Sequence, residues 1–160
     1  MPTARTFAVA AATVLALVAA PAAQAKSQHR YKSQIQSTTL STASGYPGVG
    51  GTAVLIGTWT TPQYGEGGIV DHAVMTGHPD DRTFEFKGTE VLYVKKGTFT
   101  NRFTGKAVFQ DDGSQRLTVT GRFVSGTGAY RGAKGSFKFN GSTAPGGLVV
   151  AGKSSGSITY

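Results

Sequence analysis

The chain has 160 residues, 39% of them hydrophobic, with 23 glycines, no cysteine and a formal net charge of +8. The missing cysteine excludes disulfides, thiol nucleophiles and cysteine-liganded metals, so stability must come from burial and backbone hydrogen bonding. The length suits one domain with a real core.

Residues 1–25 read as a cleaved signal peptide. Arg5 supplies a positive start, Phe7 to Ala20 an apolar run, and Ala23-Gln24-Ala25 a small-x-small cleavage site. The run is roughly 14 residues against the ~20 that a spanning helix needs, so it does not read as a membrane anchor. A secreted product starting at Lys26 follows, and loss of Arg5 would lower the charge from +8 to +7. No other stretch is long and apolar enough to span a membrane. All eight acids fall between Glu66 and Asp112, and from Gly113 onward only Arg116, Arg122, Arg131, Lys134, Lys138 and Lys153 carry charge. These bases sit singly on the polar faces of predicted strands, which reads as a solvated outer face. No basic cluster is interleaved with aromatics, so no nucleic-acid partner is expected.

Residues 26–45 are rich in Ser, Thr and Gln and read as a polar tail entering a weak first strand around Ile35 to Leu40. Residues 46–160 read as the folded domain. Tyr46 to Gly51 is a turn cluster. Thr52 to Thr60 and Gly67 to Gly77 are mostly apolar strands joined by a loop, and His78-Pro79-Asp80-Asp81 is a turn. Further strands are predicted over 82–95, 98–109, 114–124, 135–141, 147–151 and 154–160, with turn signals at Asp111-Asp112-Gly113 and Asn140-Gly141. Nothing beyond the signal shows a 3.6-residue period. Eight to ten short strands with short links give an all-β sandwich or a closed barrel.

Alternation sets which residues share a face. Leu117, Val119 and Phe123 oppose Arg116, Thr118, Thr120 and Arg122, the pattern of half-buried antiparallel sheet. In 84–94 the apolar face reads Phe84, Phe86, Gly88, Glu90, Leu92, Val94; in 98–109 it reads Phe99, Asn101, Phe103, Gly105, Ala107, Phe109. A turn at Lys96-Gly97 would pair 94 with 99, 92 with 101 and 90 with 103, placing both apolar faces on one side. Glu90 and Asn101 then become diagonal neighbours on that face. A buried carboxyl has a raised pKa and can serve as acid or base near neutrality, and an Asn amide can donate to a developing oxyanion. A kink at Gly88-Thr89 would instead turn Glu90 to solvent. Of the adjacent Asp71 and His72, one faces in and one out, and the sequence leaves the choice open. An inward His72 would be a plausible base, though a hydrogen-bonded structural histidine fits as well.

Three motif matches are set aside. Gly147 to Ser154 (GLVVAGKS) fits the phosphate-loop spacing, but no helix can follow it to face a phosphate. Gly126 to Gly132 is one residue too long for the dinucleotide fingerprint. Asn140-Gly141-Ser142 is a formal glycosylation sequon that reads better as a hairpin turn. No metal site is expected: His72, His78 and Asp80 would require the strand to reverse within a few residues.

At Ser125 to Phe137 (SGTGAYRGAKGSF) the chain resembles the allene oxide cyclase and dirigent β-barrel superfamily, which carries a G-T-G-aromatic-x-x-A-x-G segment between two late strands. The matching residues are Gly126, Thr127, Gly128, Tyr130, Ala133 and Gly135, with Ala129 inserted before the aromatic. The resemblance implies an eight-stranded antiparallel barrel around an apolar cavity, binding a hydrophobic small molecule. It implies cyclase, isomerase or stereocontrol work without a cofactor, carried by polar side chains inside the barrel. Strand parity supplies Glu90, Asn101 and Tyr93 as candidate catalytic residues and Phe84, Phe86, Phe99, Phe103 and Phe123 as candidate binding residues. The sequence leaves room for a homo-oligomer, dimer or trimer. The rival expectation is a non-catalytic secreted domain that binds cell-wall glycan or a protein through its basic outer face. Grouped surface aromatics at Tyr46, Trp59 and Tyr64 would favour that rival.

Overall fold

The computed structural model describes residues 27–43 and 45–160; the signal peptide expected at 1–25 lies outside them. Eight antiparallel strands close into a barrel in chain order: β1 (Gln28–Ala43), β2 (Thr52–Thr61), β3 (Gly65–Asp80), β4 (Thr83–Val94), β5 (Gly97–Phe109), β6 (Gln115–Gly126), β7 (Lys134–Thr143) and β8 (Val149–Thr159). β1 pairs with β8 and seals the sheet, so no strand edge is left open. The all-β, eight-stranded barrel expected from the sequence is the architecture found.

Local readings differ in instructive ways. The segment read as a polar tail with a weak strand is a 16-residue strand, and Tyr31, Ser33, Ile35 and Ser37 alternate inward along it. Two inward serines hid the period. β3 runs on to Asp80, so His78 and Pro79 belong to a strand rather than a turn. Asn140-Gly141 lies inside β7, and the turn falls at 144–148 instead. Gly141 is there because a Cβ would collide with the Phe139 ring and the Ala151 carbonyl. The two strands expected at 147–151 and 154–160 are one continuous β8 over Val149–Thr159. The β4–β5 turn is Lys95-Lys96, pairing Val94 with Gly97, Leu92 with Phe99 and Glu90 with Asn101. That register is two residues from the expected one, so the faces are kept but Glu90 and Asn101 stand directly opposite each other. Gly97 cannot be replaced in this role: its φ is +149° and a Cβ would meet the Thr127 carbonyl.

One end of the barrel is closed by an aromatic plug. Trp59, Phe99 and Phe123 are fully buried. Phe99 packs on Tyr130 at 4.3 Å between ring centroids and on Tyr64 at 5.2 Å, and Tyr160 packs on Tyr130 at 5.2 Å. The motif quoted above builds this plug. Thr127 Oγ1 accepts the Thr98 N–H at 3.0 Å, Gly128 takes a φ of +58° against the Lys96 carbonyl, and the chain then inserts Tyr130 and Ala133 into the core.

The other half of the barrel follows a large-against-small rule. Phe103 lies over Gly88 on β4, Phe86 over Gly105 on β5, and Phe137 over Gly121 on β6. A Cβ on Gly88 would sit 2.5 Å from the Phe103 ring. Gly88 is therefore a slot for a ring and not a kink. Gly88→Ala is expected to destabilise the protein by about 1–3 kcal/mol through overpacking, read as a lower urea midpoint at unchanged slope.

Candidate functional site

Beyond the plug the barrel encloses a cavity of about 120 Å³. It lies toward the end formed by the β1–β2, β3–β4, β5–β6 and β7–β8 links. Met75, Phe84, Phe86, Phe103, Leu117 and Phe139 supply apolar wall, and Ala73 and Ala107 leave the space open. Eight-stranded barrels are just wide enough to fill with side chains or hold one small ligand. Here the two halves divide those outcomes.

The two carboxyls of this cavity, Asp71 on β3 and Glu90 on β4, stand in a cross-strand row that Asn101 on β5 continues behind them. Glu90 is 7% exposed and Asn101 is 1% exposed. Asn101 Nδ2 donates to Glu90 Oε1. Asp71 Oδ1 and Asn101 Oδ1 are buried without a hydrogen-bond partner among the described residues. Burial pushes the Glu90 carboxyl up to about 7, against the lowering effect of its bonds to Asn101 and Asp71. Burial also holds the Asp71 carboxyl well above the ordinary range, and the neighbouring Glu90 charge adds to it. Two adjacent carboxyls in an apolar setting cannot both ionise cheaply, so the pair shares a proton near neutral pH. A proton between them also gives Asp71 the donor it otherwise lacks. From β1, Tyr31 stands close enough for burial and then the Glu90 charge to raise its phenol pKa. Its hydroxyl bonds Ser33 Oγ at 2.9 Å.

The structure sorts the sequence candidates. Glu90 and Asn101 meet, as parity required. Tyr93 does not join them: it is 49% exposed on the outer face, because its odd position in β4 points away from the lumen. Phe84, Phe86 and Phe103 line the cavity, whereas Phe99 and Phe123 belong to the plug. Parity tells inside from outside but not depth along the barrel axis, which is why these two were misplaced. The open choice in β3 resolves to Asp71 inward and His72 outward. His78 is accounted for by a 3.0 Å contact between Nε2 and the Pro47 carbonyl oxygen and by an edge contact with Phe84. Tyr46, Trp59 and Tyr64 form no surface platform: Tyr46 borders the cavity, while Trp59 and Tyr64 are in the plug at the opposite end. Asp71 as partner of Glu90 was missed, although pairing β3 with β4 in register would have found it.

No family model and no curated protein matches the chain. Among solved structures, a pterocarpan synthase dirigent protein aligns with a TM-score of 0.57 at 9% identity, covering 84% of this chain and 86% of that one. A nonspecific heme-binding cyclase that catalyses a 4 + 2 cycloaddition during neoabyssomicin biosynthesis aligns with a TM-score of 0.50 at 14% identity, covering 84% and 67%. At these identities the likeness is one of fold: the chain has the β-barrel seen in dirigent and cyclase proteins.

Proposed function

We propose that the open half of the barrel binds an apolar small molecule and that the protein is a secreted, cofactor-free cyclase or isomerase. The observation that carries this reading is the cross-strand juxtaposition of the Asp71 and Glu90 carboxyls among the aromatic and aliphatic walls of a cavity. A carboxyl poised near neutrality can give a proton to one substrate atom and recover one from another, which balances for an isomerisation or ring closure. The walls would hold one conformer and keep water from intercepting a reactive species. Asn101 holds the Glu90 carboxyl in place by its amide hydrogen bond. A void among apolar walls, a poised acid and a closed floor are parts such a reaction needs. The two fold neighbours, one a dirigent synthase and one a cyclase, agree with this reading without establishing it.

The test fills the void. Ala107 is buried on β5 and faces the cavity. Ala107→Phe is expected to abolish retention of any small molecule that co-purifies from the native source, at a stability cost of about 1–3 kcal/mol. Retention unchanged in the folded variant would place the ligand elsewhere and end this reading.

A further inference from the structure

Bases that are scattered in the sequence come together on one side of the barrel. Pairing aligns the outward residues of β5, β6, β7, β8 and β1 into transverse rows. The first row runs Arg102, Arg122, Ser136, Ser157, Arg30. The next runs Thr104, Thr120, Lys138, Ser155, Lys32, and the third adds Lys106 and Lys153. Between the cations stand hydroxyls and amides, and no Asp or Glu lies on any of these five strands. Among the described residues, Lys106 alone of these cations has an acidic partner, Glu85 on β4 at 2.8 Å. Arg102 and Arg122 face each other directly across the β5–β6 ladder. Opposed like charges destabilise a sheet, and nothing in the described residues compensates this pair. A shallow outer depression crosses β5 to β8, lined by Arg102, Arg122 and Lys138 with Thr104, Thr120 and Ser155, and reaches the inward rings of Phe103 and Phe137 beside Gly121 and Gly156.

We infer that this face is a binding surface for a linear polyanion, a phosphate- or sulfate-bearing glycan or polyol polymer. Neighbouring strands are ~4.8 Å apart and alternate residues of a strand ~7 Å, so the cations form a lattice that an extended anionic chain can follow. Arg guanidiniums suit oxyanions in a forked geometry, and the interspersed Ser and Thr hydroxyls suit sugar or polyol oxygens. No outward residue of these rows is aromatic, and Phe103 and Phe137 beneath them point into the barrel, so no ring stands out for a base to stack on, which favours such a polymer over single-stranded nucleic acid. The surface is separate from the cavity and stands whether or not the cavity is catalytic.

The experiment is binding of the folded protein to dextran sulfate and to poly(glycerol phosphate), with neutral dextran and an oligo-dT strand as comparators. Binding to either charged polymer is expected, with affinity falling about 10- to 100-fold between about 50 and 200 mM salt as three to five cations are engaged. The triple variant Arg102→Gln, Arg122→Gln, Lys138→Gln is expected to lose about tenfold or more of that affinity at low salt while unfolding no more readily than the parent. The pair Lys95→Gln, Lys96→Gln, in the β4–β5 turn, removes charge away from the face and is expected to change affinity less than about threefold. Equal losses in the two variants would reduce the effect to net charge and overturn the inference. So would equal binding to neutral dextran, tighter binding to oligo-dT, or no binding to either charged polymer.

Discussion

Glu90→Gln is expected to make the barrel more stable at pH 8 and to flatten its stability profile, while removing any turnover. The sign follows from proton binding. The Glu90 carboxyl titrates near 7 in the folded protein and at its ordinary 4.5 when unfolded. Between those values the folded state holds more protons than the unfolded chain, so stability falls as pH rises through this window and levels off above it. A shift of this size corresponds to roughly 3 kcal/mol. Glutamine carries an amide where the pair carried its proton, so it can accept from Asn101 and donate to Asp71 without burying a charge. Urea unfolding between about pH 5 and pH 8 should show the parent losing stability and the variant changing little over the upper half of that range. A parallel loss in both proteins would mean that Asp71, which keeps its own buried carboxyl in the variant, carries the titration of the pair in place of Glu90. The expected fall in turnover is about 10²- to 10⁴-fold, the usual worth of a general acid or base. Activity surviving in Glu90→Gln would remove this carboxyl from the chemistry.

The second large effect separates the plug from the cavity. Phe99 is fully buried and its ring packs against those of Trp59, Tyr64, Phe123, Tyr130 and Tyr160. Phe99→Ala should cost about 3–5 kcal/mol, because the closed end of a barrel cannot collapse around the hole. Phe86 is only partly buried and borders open space. Phe86→Ala should cost no more than about 2 kcal/mol, yet weaken retention of a bound small molecule more than Phe99→Ala does in whatever fraction remains folded. Thermal or urea unfolding of the two variants, paired with ligand retention, reads both effects. Equal destabilisation, with retention insensitive to Phe86, would contradict the division of the barrel into a packed half and a binding half.

What the sequence disclosed depended on which face carried the polar residues. β4, β5 and β6 were legible because Thr, Arg and Lys mark their outer faces and Phe and Leu their inner ones. This parity correctly put Glu90 and Asn101 inside. β1 was not legible, since Ser33 and Ser37 point inward and erase the contrast. Glycines were ambiguous for a physical reason: the same residue serves a turn, a kink or a slot for a ring across the ladder. Gly88 proved to be a slot for the Phe103 ring across the ladder, and Gly141 one for the Phe139 ring of its own strand. Depth along the axis has no local signature, so Phe99 and Phe123 could not be told from Phe84 and Phe103 by alternation. The partnership of Asp71 with Glu90, and the basic rows on the outer wall, both depend on strand-to-strand register. Register is set by turns and bulges, such as the shift between Thr100 and Asn101 against β6, and not by composition.

The open half of this barrel is expected to hold an apolar molecule. Native mass spectrometry of the protein purified from its natural source, followed by solvent extraction, tests it most directly. The expected result is a stoichiometric small-molecule mass that is released into organic solvent and lost in Ala107→Phe. A bare protein mass at gentle energies, from material never exposed to solvent or detergent, would contradict it.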